Sequence, residues 1–219
     1  MSEGEFRLVY APGVTPAKWA GVWAERVRDV PLRLIQVSAA EAVPLLRDGG
    51  AEAAFVRLPV EREGLQVIPL YVETTVVVVP KEHAVAAVDD LTLADLADEE
   101  VIAPLDDVID WTERPGNPAF TSPESTADAI ELVAAEAGVL LLPQSLARLH
   151  HRKDLTYRPV TDAPQSRIGL AWPAGETSDL MEELIGIVRG RTANSSRGRA
   201  PQPPKRTPQK RAAPKRRRR

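Results

Sequence analysis

The sequence predicts an α/β fold built on a parallel sheet, and three observations predict it. Strand-like and helix-like runs alternate from Phe6 to Leu58 in the order strand, helix, strand, helix, strand. Residues 74–79, TTVVVV, are β-branched throughout and apolar on both faces, as suits a strand in a sheet covered on both sides. Hydrophobic residues make up 43% of the 219-residue chain, enough for a large core or for two smaller lobes.

The first of these runs organises the rest. Phe6, Leu8 and Tyr10 alternate with Arg7 and Val9 at the period of a strand. Ala11-Pro12-Gly13-Val14 breaks the strand. Thr15 is placed to cap a helix that Pro16 opens, with Trp19, Val22, Trp23 and Val27 on one face. A helix start beyond a strand's carboxyl end offers free N–H groups and partial positive charge to an anion or polar ligand. Residues 31–37 read as a second strand. Ser38 caps a helix over 39–47, which Asp48-Gly49-Gly50 ends. Residues 53–58, 66–72 and 74–79 read as strands, with Pro80 closing the last. A short helix over 91–97 takes Thr92 as its cap and Asp95 in its first turn. Residues 101–105 read as a strand, 106–118 as a loop and 120–123 as a strand. Ser125 and Thr126 offer a cap to a helix over 127–137 that Gly138 stops. Residues 139–142 form a buried strand, and Pro143 opens a helix through Leu149. Residues 155–160 and 167–172 are strands. Thr177 or Ser178 caps a last helix with Leu180, Met181, Leu184, Ile185 and Val188 on its apolar face.

Composition excludes several kinds of chemistry. There is no cysteine, hence no disulfide, thiolate nucleophile or cysteine zinc site. No apolar run approaches the ~20 residues of a membrane helix. The opening MSEGEFRLVY has no basic or apolar leader region, so no secretory signal is expected and the cytoplasm is the expected compartment. His83 reads as a surface residue, and the neighbours His150 and His151 point to different helix faces, a poor metal pair. The doublets Asp89-Asp90, Glu99-Glu100 and Asp106-Asp107 read as solvated charge. With no G-x-S-x-G, Walker loop or H-E-x-x-H, neither catalysis nor a cofactor or metal is expected.

The net charge of −3 hides a division. From Arg191 onward there are 12 Lys or Arg and no acid, which leaves 16 basic and 31 acidic residues on the first 190, a net of −15. Residues 192–219 contain no Val, Ile, Leu, Met or aromatic side chain and five prolines, a composition that reads as disordered. Its cations Arg197, Arg199, Lys205, Arg206, Lys210, Arg211, Lys215, Arg216, Arg217, Arg218 and Arg219 suit phosphate with little sequence preference, a nucleic-acid contact that would associate the protein with the nucleoid. Arg197-Gly198-Arg199-Ala200-Pro201 is a near miss of the Arg-Gly-Arg-Pro core of AT-hooks. Contact with the acidic body or plain solvation are the alternatives.

Four stretches carry a resemblance. Residues 29–59, DVPLRLIQVSAAEAVPLLRDGGAEAAFVRLP, end in a pattern like L-L-x-x-G-x-x-D-x-A, with Glu52 where Asp is usual. Residues 65–86, LQVIPLYVETTVVVVPKEHAVA, residues 91–103, LTLADLADEEVIA, and residues 125–148, STADAIELVAAEAGVLLLPQSLAR, follow in the expected order and spacing. Over roughly residues 6–190 the chain resembles the effector-binding domain of LysR-type transcriptional regulators, with the fold of type 2 periplasmic binding proteins. It departs from that family in two ways. The first strand begins at residue 6, with no winged helix-turn-helix ahead of it, and the segment between Leu105 and Phe120 is shorter than usual.

The resemblance implies two Rossmann-like lobes with mixed, mostly parallel sheets joined by two crossover strands. Lobe I would span 1–80 and return with 162–190, lobe II would span 81–161, and 191–219 would be the tail. The ligand would sit between the lobes, at the carboxyl ends of the strands. The family's cleft positions fall on Gly13, Val14 and Thr15, on Ser38, on Pro80 and Lys81, and on Ser125 and Thr126. Arg57, at the end of the third strand, is added on chemical grounds as a partner for a carboxylate ligand, against the alternatives that it is a solvated surface arginine or pairs with an acid. Trp19 and Trp23 would suit a homodimer interface or, alternatively, the core. The expected protein is thus a non-enzymatic sensor of an anionic metabolite, linked to transcription regulation. The rivals are a metabolite-buffering protein, an enzyme on a related fold, and a nucleic-acid-associated protein with a vestigial cleft.

Overall fold

In a computed structural model, described here for residues 4–191, the chain forms two five-stranded sheets. Strand β1 (Phe6–Tyr10) leads into helix α1 (Ala17–Arg26), β2 (Leu32–Gln36), α2 (Ala42–Arg47) and β3 (Ala53–Leu58). The long strand β4 (Leu65–Glu73) is followed at once by β5 (Thr75–Pro80). Two 3-10 turns, Ala84–Ala87 and Leu93–Leu96, precede β6 (Glu100–Ile102), β7 (Asn117–Pro118), α3 (Thr126–Ala134), β8 (Val139–Pro143), α4 (Gln144–Leu149) and β9 (Leu155–Pro159). Strand β10 (Ser166–Pro173) and α5 (Asp179–Val188) complete the fold.

The first sheet has the order β2-β1-β3-β10-β4 and the second β7-β6-β8-β5-β9. Each contains two parallel and two antiparallel pairings. Strand β5, expected to close the first lobe, is hydrogen-bonded between β8 and β9 in the second, so the chain changes lobe near Thr74 rather than at residue 80. It returns between β9 and β10.

Burial on both faces explains why the strands carry so little polar alternation. Val76 and Val78 pack with Ile130, Val133 and Leu146 beneath α3 and α4. Val77 and Val79 pack on the other face with Leu91, Leu96 and Val160. In the first lobe, Phe6, Leu8 and Phe55 face α1 and α5, whereas Val9, Ala54 and Val56 face α2. Arg7, the polar exception in β1, lies along Glu52, which accepts from its backbone N (2.6 Å) and from Nη2 (2.6 Å). Burial pushes the Glu52 carboxyl up, but the hydrogen bonds from Arg7 outweigh it and hold the group below its ordinary 4.5.

Local chemistry moved several boundaries. Thr15 makes no cap; Pro16, buried and already helical in φ and ψ, occupies that position without a side-chain bond. Helix α2 starts three residues late, because Ser38 and Glu41 first close a turn on each other (2.9 and 3.3 Å). Residues 91–97 yield a 3-10 turn, with Thr92 and Asp95 forming the capping box. Strand β6 stops at Ile102 before Ala103-Pro104, and residues 120–123 form no strand. Helix α3 ends at Ala134, three residues short of its expected limit, and Ser178 caps α5. Trp23 is 1% exposed and stacks on Phe6 at 4.9 Å, while Trp19 stacks on Phe55 at 4.6 Å. Trp23 is therefore part of the lobe core, and Trp19, partly buried, packs against it.

Candidate functional site

The two lobes meet at a buried arginine. Arg57, near the end of β3, is 6% exposed. Its Nη1 donates to Glu73 Oε2 (2.6 Å) and to Ser166 Oγ (2.8 Å). Its Nη2 donates to the Pro12 carbonyl (2.9 Å) and to Ser145 Oγ (3.2 Å). Ser145 Oγ in turn donates to Glu73 Oε2 at 3.0 Å. One guanidinium thus ties the loop after β1, the first crossover at Glu73, the start of β10 at Ser166 and the first turn of α4 in the second lobe. Beside it, Thr75 Oγ1 donates to the Pro164 carbonyl at 2.5 Å, joining the two crossovers directly.

Gly13 shows how closely the lobes approach. At φ +83° a Cβ on this residue would stand 2.5 Å from Ser145 Oγ, 2.9 Å from Arg57 Nη2 and 3.2 Å from Leu146 Cδ2. Only a residue without a side chain lets the β1–α1 loop lie against α4. Tyr71 on β4 lies near Trp19, with ring centroids 6.4 Å apart. Burial, then the Glu73 carboxylate, push its phenol up to about 12, against the opposing influence of Arg57.

Because α4 follows β8, the contact with Ser145 places the carboxyl ends of the parallel strands β6 and β8 toward the first lobe. The start of α3 lies at the same end of the second sheet. There Thr126, 5% exposed, donates from Oγ1 to Asp106 Oδ1 at 2.8 Å, and Ser125 Oγ accepts from the Asp128 backbone N (3.2 Å). Leu105 and Phe120 are 74% and 103% exposed. Leu105 N donates to the Pro123 carbonyl (2.9 Å), so their two segments lie side by side beyond β6. Asp107, read from the sequence as solvated, instead accepts from Trp111 Nε1 (2.9 Å) and Arg114 Nη1 (2.7 Å).

The expected residues separate into groups. Gly13 and Arg57 come together, but Arg57 is already paired with Glu73, the acid-pairing alternative. Val14 is buried in the first-lobe core. Thr15 is exposed on the loop, and Ser38 is exposed and held by Glu41, whose carboxyl that hydrogen bond lowers. Ser125 and Thr126 stand at the start of α3 in the second lobe. Pro80 and Lys81 are elsewhere: β5 runs away from the crossover, so Pro80 lies five strand steps, about 17 Å, beyond Thr75. Pro80 lines a separate cavity of about 540 Å³ with Glu82, His83, Asp98 and Glu99. His83 is only partly exposed, its Nδ1 accepting from Val85 N and its Nε2 3.3 Å from Glu99. The tail cations from Arg197 to Arg219 lie outside the described residues. Sequence reading missed Glu73, Ser145, Ser166 and Asp106. Glu73 did leave a signal, as an acid inside the apolar run from Leu65 to Val79. Among the described residues, no cluster of three or more His, Asp or Glu could hold a metal.

The LysR substrate binding domain family matches residues 3–193. The "probable hydrogen peroxide-inducible genes activator" of Mycobacterium avium is 30% identical over 189 residues, covering 81% of this chain and 60% of that protein. The chain therefore spans about three fifths of that relative's length. Among solved structures, the BenM effector binding domain with its effector benzoate superposes with a TM-score of 0.73 at 19% identity, covering 87% of this chain and 92% of that one. A hydrogen peroxide-bound cysteine-to-serine mutant of OxyR from Corynebacterium glutamicum gives 0.68 at 25% identity, covering 85% and 67%.

Proposed function

This chain belongs to the LysR substrate-binding-domain family, and from that premise we propose that it is a non-enzymatic sensor of a small molecule that contributes to transcription regulation in the cytoplasm. The ligand occupies the cleft between the lobes. The observation that carries the reading is the interlobe junction. The loop at the carboxyl end of β1 lies against the start of α4, and Arg57, Glu73 and Ser145 tie the two lobes. A ligand touching Thr15 or Ser38 on one wall and Thr126 on the other biases the angle between the lobes, which is how a fold without catalytic groups can report occupancy. The mycobacterial relative is described by peroxide induction. This chain has no thiol to oxidise, so its signal is non-covalent binding rather than cysteine oxidation. Carboxylate recognition by Arg57 was the expected mode, but neutralisation by Glu73 weakens that support.

The test is thermal shift of the full chain across a broad metabolite panel. A specific ligand at ~100 times its dissociation constant adds about 2.7 kcal/mol of stability. Loss of that gain on Ser38→Ala, read against the variant's own ligand-free melting temperature, supports the cleft; silence across the panel refutes the sensor. A second reading concerns the tail, whose 12 cations without an acid favour phosphate. Binding of the full chain to mixed-sequence DNA is expected to weaken with salt at a log–log slope of about −0.9 per phosphate contacted. A flat salt response refutes it.

A further inference from the structure

We propose that Ser145 is the positioning residue that sets the angle between the two lobes. Among the described residues it is the only second-lobe side chain outside the crossovers that hydrogen-bonds to the first lobe. Its hydroxyl uses both of its capacities there, accepting from Arg57 Nη2 at 3.2 Å and donating to Glu73 Oε2 at 3.0 Å. Both partners are held from the first-lobe side. Arg57 and Glu73 are buried and bonded to each other, and Arg57 is also fixed by Ser166 and the Pro12 carbonyl. Neither is free to follow Ser145 when the second lobe moves.

Ser145 is thereby bounded in both directions. Separation by about 0.5 Å carries its bond to Arg57 past hydrogen-bond range. That loss falls on a buried charged network, where an unmade hydrogen bond is costly. Approach is blocked by the loop after β1, where even a Cβ on Gly13 would stand 2.5 Å from Ser145 Oγ. One placement of α4 against the first lobe satisfies both limits. The next residue, Leu146, packs with Val76, Val78 and Leu142 of the second sheet, so the placement of α4 is passed to the whole lobe.

The chain has no cysteine, so nitroxides can be placed by Asp48→Cys and Lys153→Cys alone. Both positions are exposed, and Lys153 stands two residues before Leu155, which pairs with Pro80 at the far end of β5. At about 17 Å from the crossover, a swing of about 10° displaces that end by about 3 Å. Double electron–electron resonance of the ligand-free full chain reads the distance. Ser145→Ala is expected to shift or broaden the distance distribution by about 3 Å. Ser166→Ala removes another hydroxyl from Arg57, but Ser166 lies in the first sheet, so this variant is expected to leave the distribution unchanged. Both variants keep the Arg57–Glu73 pair, so both are expected to fold. An unchanged distribution in Ser145→Ala overturns the inference. The same change in both variants also overturns it, because Ser145 then acts only as one more partner of Arg57. No ligand enters the experiment, so its failure leaves the sensor reading standing, and silence across the metabolite panel leaves the role of Ser145 standing.

Discussion

Removing one partner of the Arg57–Glu73 pair tests the interlobe junction most directly. The two side chains are 4% and 9% exposed, so neither Arg57→Met nor Glu73→Leu leaves its partner a route to water. Arg57→Met strands Glu73 and deprives the Pro12 carbonyl and two serine hydroxyls of a donor. Breaking a buried pair from one side costs about 3–5 kcal/mol. With a urea dependence of about 2 kcal/mol per molar for a chain of this size, the unfolding midpoint falls by about 2 M. The double variant Arg57→Met/Glu73→Leu removes both charges together, so it is expected to lose about as much as one single variant, leaving a coupling of about 3–5 kcal/mol in the cycle. Urea unfolding of the four proteins measures this. Single losses below about 1 kcal/mol that add in the double would refute the reasoning, because a solvent-screened pair behaves that way.

Three further outcomes follow from the same geometry. Gly13→Ala adds a Cβ at positive φ against Ser145 and is expected to cost more than about 1 kcal/mol; an unchanged melting temperature would mean that the lobes do not meet there. Tyr71, raised to about 12, favours the folded state fully below pH 10 and loses that contribution as pH rises toward 12. Ultraviolet difference titration should show that Tyr71→Phe removes no phenol titrating near pH 10. Glu52, lowered by Arg7, contributes above its unfolded value and loses that contribution as pH falls through the folded one. Glu52→Gln should accordingly flatten the loss of stability as pH falls below the ordinary carboxylate value of 4.5, and parallel curves for the two proteins would refute the pairing.

The residues that were legible in the sequence are those whose role is local. Ala53–Leu58 forms a strand between the limits its pattern predicts, because a short, almost wholly buried apolar run and its flanking turns are both written nearby. The Thr92–Asp95 box and the Ser125 and Ser178 caps likewise rest on neighbours three residues apart. Thr75–Pro80 was legible as a strand but not as a member of the second sheet, since its partners lie more than sixty residues away in β8 and β9. The same distance hid the junction. Arg57 meets Ser145 across 88 residues and Ser166 across 109, so a single polar side chain at a strand end could equally be a ligand's partner or an acid's. Resemblance singled out Gly13, which meets Ser145 of the second lobe, but its alignment of Pro80 and Lys81 with the crossover failed, because the change of lobe comes before β5 rather than after it.

Arg26 on α1 reaches Glu183 on α5 (3.2 Å) and the Arg191 carbonyl (2.5 Å), so the first and last helices are clasped together in one lobe. Within the described residues the second lobe is therefore an insertion, reached from the first by two crossovers that touch at Thr75 and Pro164. Motion of that pendant half reaches either end of the described chain through those crossovers and the Arg57–Ser145 contact. The first lobe becomes the fixed frame and the second the moving arm, and a label pair spanning the two, rather than one at the termini, is where occupancy would register.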